Sequence, residues 1–449
     1  MGSASVAIVL IAVVIQHTLC LRLGERNGLR LFYATCSQGV APILAKEVAK
    51  LPDLEESSVK QVKSGVFFKG TSMTGFSALM NLRCSLRLME QINDVSLTDE
   101  GASLTDIKTP QELYDYCFDA VEWENLIDPG LTFSVSMTLG KEVPQDLAHS
   151  HFSALTIKDA IVDKVIEEFD ERPSVDKREP DVPIISHLHK GSLSVYRCWS
   201  GGTSLHKRGY RGSTIHKAAL RETLGAAIVL ASKWDGSDGT VLLDPMGGSG
   251  TICIEAALIA CDTAPGLIRY RDRVPEACNW PDLRGSKTEW QSVVSDAKAR
   301  DNRLCRDEKG ADDISGGSRK LIVYNDVHEG SIDLAEDASE RAGVAHLIDF
   351  SPGPCDVADL EPYGGEGEGE GRSSPLVILT NPPWDRRLDD NAEHSWDSLR
   401  RYLDKVEAEV FCLAGEPSLV KRLGLRPVQN LALHVGDVEM RLLKFSHHV

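Results

Sequence analysis

Thr240-Val241-Leu242-Leu243-Asp244-Pro245-Met246-Gly247-Gly248-Ser249-Gly250-Thr251 runs straight into Ile252-Cys253-Ile254-Glu255-Ala256-Ala257-Leu258-Ile259-Ala260. An apolar run closed by Asp-Pro, then a glycine cluster, then an Ala/Ile/Leu segment reads as strand, tight turn and helix. That is the opening unit of a Rossmann-like sheet. Glycines let the backbone come close to a ligand, and the helix N-terminus offers partial positive charge to a carboxylate or phosphate. Asp244, Gly247, Gly248 and Gly250 are therefore candidate cofactor-binding residues.

Working outward, a second apolar run, Leu376 to Thr380, delivers Asn381-Pro382-Pro383-Trp384. Two prolines in succession fix two φ angles, so the chain leaves the sheet in a stiff, extended turn. Asn381 brings an amide oxygen, Pro382 a carbonyl with no N–H beside it, and Trp384 a flat apolar face. Two acceptors and a stacking surface suit an exocyclic amine on a planar base, which points to methylation of a nucleobase amine. Read alone, the tetrapeptide is an ordinary strand exit; its pairing with the glycine turn in one domain, one motif per ligand, gives it chemical meaning. Asn381, Pro382, Pro383 and Trp384 are the candidate catalytic residues.

These paired motifs, with Ser204-Leu205-His206-Lys207-Arg208-Gly209-Tyr210-Arg211 ahead of them, resemble the THUMP-containing RNA guanine-N2 methyltransferases, most closely the bacterial large-subunit (23S) ribosomal RNA members. The resemblance runs from about Leu31 to about Phe445. It implies an α/β class I (Rossmann-like) methyltransferase domain preceded by α+β ferredoxin-like and THUMP domains. It also implies S-adenosyl-L-methionine as cofactor and N2-methylguanosine in RNA as product. Asp356, in Pro354-Cys355-Asp356-Val357, matches the family position that meets the cofactor adenine. Two departures are visible: Gly247 stands where the family usually has cysteine, a change expected only to add flexibility, and Trp384 stands where it usually has tyrosine.

The chain has 449 residues, 42% hydrophobic and 26% charged, enough for two or three globular domains. Its net charge of −18 argues against general polyanion binding, so any RNA contact has to come from a local patch. Eleven cysteines are scattered with no Cys-x-x-Cys pair, so no metal site and no disulfide framework is expected. Cys36, Cys84, Cys198, Cys253, Cys261 and Cys412 sit among apolar neighbours and read as buried free thiols.

Val6 to Ile15 is an uninterrupted apolar run, too short to span a bilayer but of signal-region length, and residues 1–22 read as a targeting segment. Delivery to a plastid or another organelle with bacterial-type ribosomes follows from that reading; otherwise the protein is cytoplasmic. Strand at Leu31, helix over Val40 to Leu51, strands in Val59 to Phe68, helix over Thr74 to Met80 and strand at Leu86 to Ile92 fit a ferredoxin-like module over 30–98. A helix at Gln111 to Val121, a strand at Leu131 to Leu139, a long helix at Ser153 to Phe169 and a hairpin from Pro183 to Trp199 are placed in a THUMP domain over 100–200. Residues 200–215 form a basic linker. Between Ser200 and Arg221 the cations Lys207, Arg208, Arg211, Lys217 and Arg221 occur with no acid, interleaved with His206, Tyr210 and His216. Lys207, Arg208, Tyr210 and Arg211 are candidate RNA-binding residues, the cations for phosphates and Tyr210 for stacking on an unpaired base.

The methyltransferase domain is placed at 216–449. The helix Trp290 to Leu304 within the polar stretch Ala264 to Asp313 is expected to cover the sheet. Lys320 to Asp326 reads as the second strand, and Asp326 at its end is the candidate for the cofactor ribose. The family commonly carries acid-x-acid here, and His328 stands at the second place. Tyr363 to Ser374 is low-complexity Gly/Glu that cannot bury a core. A helix over Asp397 to Val406 and strands at Glu409 to Ala414, Leu431 to Val435 and Glu439 to Phe445 complete the domain, with no second methyltransferase domain expected after it. The alternatives kept beside a large-subunit ribosomal RNA substrate are a tRNA guanine-N2 enzyme, a DNA adenine-N6 enzyme and a non-catalytic RNA-binding assembly factor.

Overall fold

The structure is a computed structural model that describes residues 28–93, 106–212, 219–237, 239–303, 321–358, 375–383, 392–435 and 438–447. The targeting segment at 1–22, the Gly/Glu stretch, His216, Lys217 and Trp384 lie outside the described residues. Among those described, no helix is long and apolar enough to cross a membrane.

The amino-terminal half is built on β1 (Arg30–Thr35), α1 (Ala41–Val48), β2 (Leu54–Val62), β3 (Gly65–Gly70), α2 (Ser72–Asn81) and β4 (Arg87–Gln91). It continues with α3 (Pro110–Asp119), β5 (Thr132–Leu139), α4 (Ser150–Phe169), β6 (Ser174–Val175), β7 (Val182–His189) and β8 (Ser192–Cys198). The start of α3 is written in its sequence: Thr109 accepts from the Glu112 N–H, Glu112 reaches back to the Thr109 N–H, and Pro110 supplies a first-turn φ. The two modules expected here meet edge to edge. Strand β4 of the first pairs antiparallel with β8 of the second, Glu90 opposite Arg197, so one eight-stranded sheet runs β2-β3-β1-β4-β8-β7-β5-β6.

The carboxyl-terminal half contains α5 (Glu222–Ser232), β9 (Val241–Asp244), α6 (Thr251–Ala260), α7 (Lys287–Arg300), β10 (Ile322–Asp326), α8 (Glu329–Ala342) and β11 (Ile348–Pro352). Then follow β12 (Leu376–Thr380), α9 (Ala392–Leu403), β13 (Ala408–Ala414), β14 (Gln429–Val435) and β15 (Val438–His447). The sheet order is β11-β10-β9-β12-β13-β15-β14. Strands β9 to β13 are parallel where they pair, and only β15 runs against its neighbours. That is the topology expected of a class I methyltransferase. Strands β9 and β12 are buried at every residue, as parallel strands covered on both faces must be, which is why they are near-continuous Val/Ile/Leu in the sequence. The order reverses between β9 and β12, and ligands of open α/β sheets bind outside the carboxyl ends of the strands at such a switch point.

The polar stretch after α6, expected to cover the sheet, packs instead on the amino-terminal half. Helix α7 packs on α2 of the first module, Arg300 bonds Asn81 there, and Arg284 bonds Asp128 of the second. The halves are thus fastened by this polar segment.

Candidate active site

A cavity of about 430 Å³ opens at the carboxyl ends of β9, β10 and β12. Its wall includes Asp244, Met246, Gly247, Gly248 and Ser249 from the first turn, Asn325, Asp326 and His328 from the second, and Asn381, Pro382 and Pro383 from the third. The glycine turn and the Asn-Pro-Pro turn, 131 residues apart in sequence at Gly250 and Asn381, therefore face one space. Helix α9 completes the wall with Ala392, His394, Ser395 and Ser398.

The glycine turn is held by its neighbours on β10. The Gly248 N–H donates to Asp326 Oδ2 at 2.8 Å, and the Gly248 carbonyl accepts from the Tyr324 hydroxyl at 2.6 Å. Gly248 adopts φ +53° with open space where a Cβ would stand, which leaves its main chain bare toward the cavity. Gly247 corrects an expectation. A Cβ at that position would overlap the Tyr324 ring, so in this chain a cysteine there would collide, and the glycine is demanded by close approach. Gly250 heads α6 and is not on the cavity wall.

Charge and acceptors are set deep in this wall. Asp244 is 1% exposed and accepts from the Met246 N–H at 3.2 Å; burial, with Asp326 nearby adding to it, pushes its carboxyl up to about 7. Asp326 takes the Gly248 N–H on one oxygen and the His328 N–H, at 2.9 Å, on the other. Asn325, which sequence reasoning passed over, ties three strand ends together: its Nδ2 donates to Pro245 O (2.9 Å) and Gly353 O (3.0 Å). Its Oδ1 is buried with no partner among the described residues, an unusual state for a buried acceptor on a cavity wall.

Asp356 takes a different place from the one expected. It is not on the cavity wall; its carboxylate accepts from the Ser398 hydroxyl and pairs with Arg401 Nε at 2.6 Å. Burial raises its carboxyl and the Ser398 and Arg401 bonds more than offset that, so it lies below the usual carboxylate range. Two residues one turn apart on α9 claim the side chain, and Cys355 and Ser398 take the wall.

The basic linker is corrected more thoroughly. Tyr210 is fully buried and Arg208 is 2% exposed, so neither is open to stacking or to phosphate. The Tyr210 hydroxyl donates to Glu255 Oε1 at 3.0 Å, and Arg208 lies at 3.5 Å from the same oxygen while donating to the carbonyls of Leu205 and Arg83. Arg211 is mostly covered, bonded to Leu220 O and Thr251 Oγ1 and 3.4 Å from Glu222. Only Lys207 of the four is exposed. The physical reason is Glu255: an acid inside the apolar run of α6 cannot be buried alone, and the linker passes where it can be neutralised.

Family models agree with this architecture. An RMKL-like methyltransferase domain matches residues 208–437, a THUMP domain 108–197 and an RlmL ferredoxin-like domain 31–89. The chain belongs to the RMKL-like methyltransferase family. It is 32% identical over 423 residues to the ribosomal RNA large subunit methyltransferase K/L of Syntrophotalea carbinolica, covering 92% of this chain and 53% of that protein. The protein of the same name from Aeromonas hydrophila is 32% identical over 433 residues, covering 92% and 54%. The chain thus spans about half the length of the curated relatives it matches. Among solved structures, a possible methylase from Clostridium difficile 630 superposes with TM-score 0.74 at 25% identity, covering 94% of this chain and 99% of that one. SMU.472, a putative methyltransferase solved in complex with SAH, gives the same TM-score at 22% identity, covering 94% of this chain and 99% of that one.

Methyltransferases of this class take S-adenosylmethionine, and the residues here fit it. The bare main chain at Gly248, the acids ending β9 and β10 and the unpartnered Asn325 acceptor offer surface for a ligand carrying hydroxyl and amino donors. No group of three or more His, Cys, Asp or Glu able to hold a metal occurs among the described residues. The nine described cysteines are all buried and free.

Proposed function

We propose that this methyltransferase methylates the exocyclic N2 amine of a guanosine in RNA, with large-subunit ribosomal RNA as substrate class. The observation that carries the reading is the single cavity walled jointly by the glycine turn and the Asn-Pro-Pro turn. The names of the curated relatives support ribosomal RNA as the substrate, and the match to a THUMP domain supports RNA over DNA.

Bound S-adenosylmethionine supplies an electrophilic methyl on a sulfonium. Everything else is placement by the chain. Asp326 is assigned to the cofactor ribose, with His328 beside it at the rim. The Asn381 amide and the Pro382 carbonyl accept from the substrate amine, fix its lone pair in line and share the positive charge that develops on nitrogen. Trp384 is assigned to stacking on the base. A guanine inside a helix cannot reach such a wall, so the target is unpaired or extruded.

The test is radiolabelled methyl transfer to large-subunit ribosomal RNA, transfer RNA and DNA, followed by nucleoside mass spectrometry. N2-methylguanosine in ribosomal RNA is expected, with Asn381→Ala lowering turnover by at least about a hundredfold. Methylated adenine in DNA, or full activity in the Asn381 variant, would overturn the reading.

A further inference from the structure

Helix α9 is fastened to both sides of the cavity. On one side, Asp356 after β11 accepts from Ser398 and pairs with Arg401 at 2.6 Å, and its main-chain oxygen accepts from Lys405 Nζ, two residues past the helix end, at 2.8 Å. On the other, Trp396 is fully buried and its indole Nε1 donates to the Pro383 carbonyl at 2.9 Å. Two prolines in a row have no N–H to give, so a Pro-Pro turn can be tied down only through its carbonyls and its flanking residues. Trp396 makes such a tie.

We propose that Trp396 is a positioning residue for the base-holding turn, with α9 acting as a strut between the Asp356 segment after β11 and Pro383. The strut keeps the Asn381 amide and the Pro382 carbonyl pre-aligned for the amine before substrate arrives. This rests on the methyl-transfer reading above. The plainer account is that Trp396 fills the core beside Leu399 and Leu403 and that its N–H merely finds the nearest acceptor, as buried indoles do.

Trp396→Phe separates the two, because it keeps most of the apolar bulk and removes only the donor. Three measurements are made on the full chain: turnover on RNA at saturating cofactor, S-adenosylhomocysteine affinity by calorimetry, and amide hydrogen exchange without ligand. The strut requires kcat to fall roughly tenfold to a hundredfold, with affinity held within about threefold. Exchange over residues 376–381 should quicken about fivefold or more while that over 241–247 stays as in the parent. Unchanged kcat, kcat and affinity falling in parallel, or unchanged exchange at 376–381 would each overturn it. Arg401→Ala, at a half-exposed side chain, loosens the other end of the strut with little risk to folding. It should quicken the same 376–381 exchange, and no change there would count against the strut even if the Phe variant failed to fold. Should the parent protein methylate nothing, the functional reading falls, while the exchange comparison still decides whether the strut exists.

Discussion

At the seam between the two sheets, Arg197 gives one nitrogen to Asp282 at 2.8 Å, shares the other between Asp282 and Glu90 at 2.9 Å, and lies 4.0 Å above the Trp280 ring. Glu90 also takes the Trp199 indole N–H at 2.7 Å, and Arg269 caps the carbonyls of Ser200, Thr203, Ser204 and Lys207. In the cavity, by contrast, Asp244 is buried with no cation beside it and Asn325 keeps an unpartnered oxygen among the described residues. Both regions carry polar groups out of water. The seam sets charge against charge within the protein, although Arg197 Nε and Arg269 Nε keep no hydrogen-bond partner among the described residues. The cavity leaves them partly unanswered, which costs stability and creates a place where a ligand can supply what is missing.

Breaking the seam should have the largest effect. Arg208→Ala strands Glu255 inside α6 and should cost about 3 to 5 kcal/mol in chemical denaturation. A loss below about 1 kcal/mol would mean that the buried pair is not holding the halves together. The cavity should respond to pH where the seam does not. The Asp244 carboxyl is raised from 3.8 to about 7, so its protonated form suits the folded state. Its contribution is fully present below its unfolded pKa and is lost as pH rises through about 7. Asp244→Asn should therefore gain on the parent by about 3 to 4 kcal/mol between pH 4 and 8 in parallel denaturation series. A constant difference across that range would show that Asp244 is ionised throughout and that its charge is compensated within the fold. The smallest effect belongs to Lys207, the linker cation left in water. Lys207→Ala should move stability by no more than about 0.5 kcal/mol, against the several lost at its neighbour Arg208. An equal loss at both positions would erase the distinction between surface and seam charge.

Much of the architecture was legible because it rests on local pattern. The buried runs of β9 and β12, the glycine turn, the capped start of α3 and the closing hairpin β14–β15 each declare themselves within a dozen residues. The start of α9 was less clear. It was expected at Asp397, and the helix runs from Ala392, with a buried face of Trp396, Leu399, Tyr402 and Leu403 that begins one residue ahead of Asp397. Attending to that spacing would have brought Trp396 into view. Asn325 gave no comparable signal, since a polar residue at a strand end is unremarked until three strand ends are seen to converge on it.

The sequence by itself determined most of the strands and helices, the class of the carboxyl-terminal sheet and the two turns that wall the cavity. Those follow from hydrophobic period, proline and glycine stereochemistry, all properties of neighbours along the chain. Only the tertiary structure decided what the charged residues do. It placed Arg208 and Tyr210 against Glu255 and gave Asp356 to α9. It also brought β4 and β8 into one sheet and made the polar stretch after α6 a clamp. An arginine has the same side chain whether it meets a phosphate or a buried glutamate, and the choice between them is made by residues distant in sequence that packing brings within 3 to 4 Å.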